Sequence, residues 1–401
     1  MAGIVVVGAG QAGAALVAKL RALGHSGPIT LLGSEPAPPY QRPPLSKAYL
    51  TGEMPVERLY LRPEAFYADN DIRLVTDTSV HAIDTAAQRI AVGSETLPYE
   101  RLALTTGARA RALPAEIGGA RAGVYCLRSI ADADALRPEL RPGRQLIVVG
   151  GGYIGLEAAA VAAGCGLEVT VLEAADRILQ RVACDETADW FRALHQRNGV
   201  DIREGVKLVR LTGSARVDGA ELSDGTHLPA DLVIVGIGIE PRTRLAREAG
   251  LAIENGIAID ERGRSSVPGV WAAGDCASFP YRSDRIRLES VQNAVDQAEC
   301  VAADMLGEGY DYAPVPWFWS DQYHTRLQIA GLGSGHDRIA TRVDGDEARS
   351  HWYFSGARLL AVDAINAPRA YMVGKRLLQA GCSPEPEAVA ASDTDLKQLL
   401  G

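Results

Sequence analysis

Two stretches of the chain repeat one hydrophobic rhythm. A short unbroken apolar run leads into a glycine cluster and then a long alanine-rich segment. Residues 4–7 precede Gly8-Ala9-Gly10-Gln11-Ala12-Gly13, and residues 146–149 precede Gly150-Gly151-Gly152-Tyr153-Ile154-Gly155. Unbroken runs rich in Val and Ile predict strands covered on both faces, as in parallel sheets, and the alanine-rich segments predict the helices that cross between them. Second apolar runs at 29–32 and 169–172 complete two βαβ units. Three more runs end at glycine turns: Leu102-Ala103-Leu104 before Thr106-Gly107, residues 232–235 before Gly236 and Gly238, and Val270-Trp271-Ala272-Ala273 before Gly274-Asp275. Alternating apolar residues near 327–332 and 352–363 predict an antiparallel sheet, with a helix after Pro368.

The order of these elements predicts nesting. One Rossmann-like domain spans 1–112 and resumes at 236–312, a second spans 113–235, and an α+β domain follows at 313–401. The expected fold class is therefore α/β, with two Rossmann-like dinucleotide-binding domains and a C-terminal α+β domain. Between them, Pro36, Pro38, Pro39, Pro43 and Pro44 exclude a regular helix and predict a constrained loop leading to Lys47.

Each glycine cluster has the spacing of a dinucleotide fingerprint. The first glycine makes the tight turn, the second lets the backbone approach a pyrophosphate, and the third lets helix and strand pack closely. Each is completed by an acid beyond the second apolar run, Glu35 and Glu173. Two such sites in one chain predict a flavoprotein that moves a hydride between a nicotinamide and a flavin. The first is expected to hold FAD through Gly8, Gly10, Gly13, Glu35, Thr106, Gly107, Gly274 and Asp275. Taken alone, Asp275 would read as a helix cap. The second is expected to hold NAD through Gly150, Gly152, Ile154, Gly155, Glu173 and Gly238. The Glu173 charge favours NADH over NADPH, although Arg177 and Arg181 follow it.

Four side chains are candidates for the reacting region. Lys47 can reach the flavin ring, and Glu157, one turn into the second helix, can pair with it. Tyr153 can cover the flavin until the nicotinamide displaces it. Trp319, in Trp317-Phe318-Trp319-Ser320-Asp321-Gln322, can form a wall at the flavin edge; plain core packing is the rival reading of this aromatic run. Arg42 and Arg128 are candidate pyrophosphate clamps.

Composition narrows the rest. Of 401 residues, 47% are hydrophobic and 23% charged, ordinary for a globular enzyme, and no apolar run suggests a membrane span. The apolar start reads as a strand rather than a signal peptide, so a cytoplasmic location is expected. A net charge of −9 argues against nucleic acid as a partner. The excess acid lies upstream of Ala313, leaving Arg338, Arg342, Lys375 and Arg376 as candidate docking cations. The six cysteines are scattered without paired spacing and none precedes Cys126, so neither a metal site nor structural disulfides are expected.

The chain resembles the FAD-dependent, NADH-linked ferredoxin reductases of bacterial oxygenase systems, which share the glutathione-reductase-like flavoprotein fold. The carrying residues are Pro39-Tyr40-Gln41-Arg42-Pro43-Pro44-Leu45-Ser46-Lys47, Thr105-Thr106-Gly107-Ala108-Arg109, the run from Gly150 to Glu157, Ala273-Gly274-Asp275, Glu289-Ser290-Val291-Gln292-Asn293-Ala294 and the run from Trp317 to Gln322. The resemblance implies FAD contacts at Ala12, Glu35, Lys47, Val80, Arg128, Asp275 and Val291; Arg181 and Glu157 complete the expected NAD set. It also implies that NADH reduces the flavin, which then passes single electrons to a [2Fe–2S] ferredoxin. That ferredoxin would feed a cytochrome P450 or, alternatively, a ring dioxygenase; rubredoxin is a further alternative acceptor. A disulfide reductase needs a cysteine beside the flavin, where this chain has Pro43-Pro44. A flavin-bearing signalling protein of the apoptosis-inducing-factor kind fits the acidic charge poorly.

Overall fold

In the computed structural model, which describes residues 2–400, the first apolar run forms the strand Gly3–Val7 at the centre of a parallel sheet. Its neighbours are Ile29–Leu32 and Glu95–Leu104. Val5 lies opposite Thr30 on one side and Leu102 on the other. Ile72–Val75 extends one edge, and Val270–Ala272 pairs in parallel beyond Glu95–Leu104. The hairpin strands Val80–Asp84 and Arg89–Val92 join antiparallel to Glu95–Leu104. Residues 72–92 thus hold three strands with different partners.

Both faces of this sheet are covered, which is why its strands read as unbroken apolar runs. On one face the helices Gln11–Ala22 and Val291–Met305 bury Leu16, Val17, Leu20, Val301 and Met305 against Ile4, Val6, Ile29 and Leu31. Removing a fully buried leucine such as Leu16 would cost about 2–5 kcal/mol. The other face packs Ile90, Tyr99, Ile257, Ile259 and Phe279. This sheet belongs to one compact unit, comprising residues up to 42, 55–109 and 239–314.

The second unit comprises 43–54, 110–238 and the chain from 315 onward. It holds a five-stranded parallel sheet in the order Asp201–Arg203, Glu168–Leu172, Gln145–Val149, Leu232–Val235, Val124–Tyr125. The helix Tyr153–Gly164 crosses from Gln145–Val149 to Glu168–Leu172, and helix Asp185–Arg197 leads to Asp201–Arg203. The same unit carries a five-stranded antiparallel sheet in the order Trp317–Gln322, Thr325–Gly331, Arg358–Ile365, Arg349–Ser355, Arg338–Val343, backed by helix Pro368–Ala380. The alternation expected over 352–363 is two strands joined by a turn at Gly356.

The strand Trp317–Gln322 is an inverted case. Ser320 and Gln322 are buried, at 0% and 1% exposure, while Trp317, Phe318 and Trp319 are half-buried. Polar side chains point inward because charged and polar partners wait there.

Candidate functional site

The first fingerprint is shaped by backbone crowding. Gly8 adopts φ +119°, and a Cβ there would fall 2.1 Å from the Thr105 carbonyl oxygen. A Cβ on Gly13 would fall 2.1 Å from the Gly8 carbonyl oxygen, so the helix Gln11–Ala22 can press on the turn only through glycine. Gly10, by contrast, faces open space and gives this helix no side-chain cap. Its first-turn N–H groups and the positive end of its dipole are left for an anion. Gly274 closes in beside Ala12: a Cβ there would lie 3.1 Å from Ala12 Cβ and 3.7 Å from Ala294 Cβ. The Gly274 amide donates to Gln297 Oε1 at 2.8 Å. The buried Gln297 Nε2 has no hydrogen-bond partner among the described residues.

The other expected FAD residues of this unit ring the same turns. The Thr106 hydroxyl donates to the Arg242 carbonyl at 2.8 Å, and the Arg242 amide donates to the Gly107 carbonyl at 2.9 Å. Val291 opens helix Val291–Met305 behind its cap, Ser290. Asp275 is half-buried, and Val80 lies buried opposite Val92. Glu35 accepts from the Tyr40 hydroxyl at 2.5 Å and from Arg42 at 2.7 Å. Burial alone would raise the Glu35 pKa; Arg42 and Tyr40 outweigh it and hold the carboxyl below its ordinary value. Arg42, expected as a pyrophosphate clamp, is thus joined to Glu35 and, at 2.9 Å, to the Tyr40 oxygen.

The second fingerprint repeats the geometry. Gly150 has φ +109° with the Gly236 carbonyl 2.5 Å from where its Cβ would be, and a Cβ on Gly155 would meet the Gly150 carbonyl at 2.1 Å. Gly152 faces open space and leaves helix Tyr153–Gly164 without a side-chain cap. Glu173 accepts from the Gly151 amide and the Ala175 amide, each at 2.8 Å. One lone pair per oxygen remains for ribose hydroxyls. Ile154 is 49% exposed, an apolar surface at the mouth of the turn. Arg181 is exposed, with a guanidinium nitrogen 3.8 Å from a Gly238 Cβ position. Arg177 is turned away, joined to Asp185 at 2.6 Å and to the Ala183 carbonyl at 2.9 Å. Both cradles fit a dinucleotide: each pairs an uncapped helix end and an open glycine with an acid held at the end of the second strand.

The second unit also gathers most of the candidates for the reacting region. Lys47 Nζ lies 2.5 Å from Glu157 Oε2. Glu157 is only 4% exposed and also accepts from the hydroxyls of Ser46 and Ser320, each at 2.8 Å. A buried carboxylate needs such partners. Tyr153 packs edge-on against Phe318, centroids 4.6 Å apart. Its hydroxyl is buried without a hydrogen-bond partner among the described residues, and burial pushes its pKa well above the ordinary value. Phe318, Ser320 and Gln322 share one face of their strand. Trp319 stands on the opposite face, beside Trp317 at 5.8 Å, so the structure does not bring it to Tyr153 and Glu157. The Arg128 amide donates to Asp132 Oδ2 at 3.0 Å, just ahead of the capping box of Ser129 and Asp132.

Sequence reasoning missed Ser46, Ser320, Gln322, His195 and Gln297. Ser46, Ser320 and Gln322 lie inside recognisable motifs, but their partners Glu157 and His195 are more than a hundred positions away and no spacing marks them. His195, in the last turn of its helix, and Gln297, in mid-helix, carry no signal. One docking candidate is corrected. Arg342 is buried, its guanidinium donating to the carbonyls of Ala391, Ser392 and Thr394 and to Asp344. Arg338 is exposed, joined to Glu387 at 2.6 Å.

Residues 2–298 match the pyridine nucleotide-disulphide oxidoreductase family, and residues 317–400 the reductase C-terminal family. The chain is 42% identical over 403 residues to rhodocoxin reductase of Rhodococcus erythropolis, covering 99% of this chain and 94% of that protein. It is 41% identical over 408 residues to putidaredoxin reductase of Pseudomonas putida, covering 99% and 96%. It aligns with the covalent putidaredoxin reductase–putidaredoxin complex at a TM-score of 0.96 and 40% identity, covering 100% of this chain and 98% of that one. The chain belongs to the pyridine nucleotide-disulphide oxidoreductase family. Its cofactors are FAD and NAD(H).

Proposed function

We propose that this protein is an NADH-dependent ferredoxin reductase: one NADH and two oxidised [2Fe–2S] ferredoxins become NAD⁺, two reduced ferredoxins and one proton. The ferredoxin in turn feeds a cytochrome P450 monooxygenase. The observation that carries this reading is where the thiols are. The family is named for disulfide chemistry, yet the first cysteine is Cys126. Cys276, the one next to Gly274-Asp275, is fully buried, and burial raises its pKa. A disulfide relay needs an accessible, low-pKa thiol pair, and its absence beside this turn favours single-electron delivery to an external carrier.

The domains with these roles are 1–112 with 236–312 for FAD, 113–235 for NAD, and 313–401 at the C-terminus. When bound, the flavin accepts a hydride from the nicotinamide and releases electrons singly. The chain's own residues bind, orient and shield. The uncapped end of helix Gln11–Ala22 holds the FAD pyrophosphate, and Glu35, fixed by Tyr40 and Arg42, takes the ribose. Arg128 and Val291 add further FAD contacts. The end of helix Tyr153–Gly164 and Glu173 do the same for NAD. Lys47, held by Glu157, is the cation proposed to serve the flavin, and Tyr153 and Ile154 would give the nicotinamide an apolar surface.

Helix Pro368–Ala380 supplies a docking face. Arg369, Met372 and Arg376 are exposed along one side, Lys375 lies 4.5 Å over Trp317, and the helix contains no acid. Such a face suits an acidic iron–sulfur protein. No helix among the described residues is long and apolar enough to cross a membrane, and the proposed location is the cytoplasm.

The test is NADH-driven cytochrome c reduction by the purified flavoprotein with and without a [2Fe–2S] ferredoxin. Strong ferredoxin dependence is expected. Rapid flavin reduction without it would move the acceptor to rubredoxin or oxygen, and a dioxygenase-type ferredoxin outperforming a P450-type one would change the terminal oxygenase.

A further inference from the structure

A single file of hydrogen bonds leads from Glu157 into the interior of the second unit. Ser320 Oγ lies 2.8 Å from Glu157 Oε1, and Gln322 Nε2 lies 3.1 Å from Ser320 Oγ. His195 Nε2 lies 2.8 Å from Gln322 Oε1, and the Tyr323 hydroxyl lies 3.2 Å from His195 Nδ1. Ser320, Gln322 and His195 are 0%, 1% and 0% exposed. A histidine and a glutamine this deeply buried serve a partner, and the partner at the end of the file is the carboxylate that holds Lys47.

Proton counting fixes the direction of every bond. Glu157, ionised beside the Lys47 ammonium, can only accept. Ser320 has one proton and must give it to Glu157. Its lone pair then receives a Gln322 amide N–H. That leaves Gln322 Oε1 as an acceptor, so His195 carries its hydrogen on Nε2. The Nδ1 of the neutral ring accepts from Tyr323. Burial acts in the same sense, holding the His195 pKa below its ordinary value.

We propose that His195 and Gln322 are positioning residues for the Lys47–Glu157 pair. Four donors in a row point at one carboxylate, so their dipoles favour its charge and fix Oε1, leaving Oε2 aimed at Lys47 and Ser46. The file orients and does not conduct: an amide cannot hand a proton on while remaining an amide. For its effect on turnover, the proposal rests on the proposed role of Lys47 beside the flavin.

The experiment combines histidine ¹⁵N NMR on the holoenzyme with stopped-flow flavin reduction by NADH. The expected wild-type tautomer of His195 is Nε2–H, with a chemical shift that moves in Glu157→Gln. His195→Leu should slow flavin reduction about tenfold and shift the visible flavin band, whereas His195→Gln, which keeps a donor toward Gln322, should recover most of the rate. Gln322→Glu preserves shape but cannot donate to Ser320; it should slow reduction similarly and leave His195 doubly protonated. An Nδ1–H tautomer in the wild type overturns the proposal, as does His195→Leu with an unchanged band and rate. Should Gln322→Glu fail to fold, the wild-type tautomer and the two His195 variants decide. If Lys47→Met leaves flavin reduction unchanged, the role given to Lys47 falls, while the tautomer result stands independently.

Discussion

Glu173 accepts a hydrogen bond from the Gly151 amide at 2.8 Å, so the acid at the end of one strand is bound into the glycine turn that follows its neighbour. With its other oxygen on the Ala175 amide, this carboxylate cannot swing aside. A ribose 2′-phosphate would meet a fixed negative charge, and Arg177, four residues on, is already joined to Asp185.

Glu173→Ala should therefore lower kcat/KM for NADH about ten- to hundredfold, the range for losing charged hydrogen bonds of about 1.5–3 kcal/mol. NADPH should not rise to match it, because Arg177 stays engaged. Adding Asp185→Asn releases Arg177 and should raise NADPH use above that of the single variant. Steady-state kinetics with both nucleotides check this; NADPH efficiency already equal to NADH in the wild type would refute it.

Charge reversal on the last long helix separates docking from flavin chemistry. Arg369→Glu with Arg376→Glu should raise the KM for ferredoxin about tenfold and weaken its salt dependence, leaving NADH–ferricyanide activity intact. An unchanged KM would remove this face from the docking surface.

Arg342 predicts a stability effect instead. Its guanidinium donates at 2.6, 2.9 and 3.0 Å to three carbonyls of the segment 391–394 and at 2.7 Å to Asp344. Arg342→Met leaves those acceptors unpaired and should destabilise the fold by about 2–4 kcal/mol. Limited proteolysis should then cut after residue 390, with ferredoxin KM little changed in the protein that remains intact.

The sequence made the cradles legible because strand, turn and helix follow one another directly, from Gly3–Val7 to Gln11–Ala22, and only glycine satisfies the Gly8 and Gly13 contacts. Lys47 and Glu157 were legible as candidates because each follows a recognisable turn. His195 was not, since its partner Gln322 is 127 positions away and no periodicity marks a polar contact of that separation. In the strand Trp317–Gln322 the aromatic residues are the conspicuous ones, and the buried polar partners of Glu157 and His195, Ser320 and Gln322, are masked among them. Arg342 misled, because charge in sequence does not distinguish a solvated cation from one gathering backbone carbonyls.

A second buried cluster gives a prediction in pH. Thr187 Oγ1 donates to Asp363 Oδ2 at 2.8 Å and lies 2.7 Å from His351 Nδ1, so His351 donates through Nδ1. Burial pushes the Asp363 pKa up to about 6 from 3.8 and the His351 pKa down to about 4 from 6.5. Between about pH 4 and 6 the folded protein holds a proton on Asp363 that the unfolded chain has lost, so this group makes stability fall as pH rises. Over nearly the same window the unfolded chain holds a proton on His351 that the fold refuses, so stability rises with pH. The two slopes, each at most about 1.4 kcal/mol per pH unit, oppose one another. Relative to the wild type, Asp363→Asn should therefore gain stability as pH goes from 4 to 6, and His351→Gln should lose it. Denaturant midpoints across that range measure both, and parallel curves for the three proteins would show that the cluster titrates outside the window.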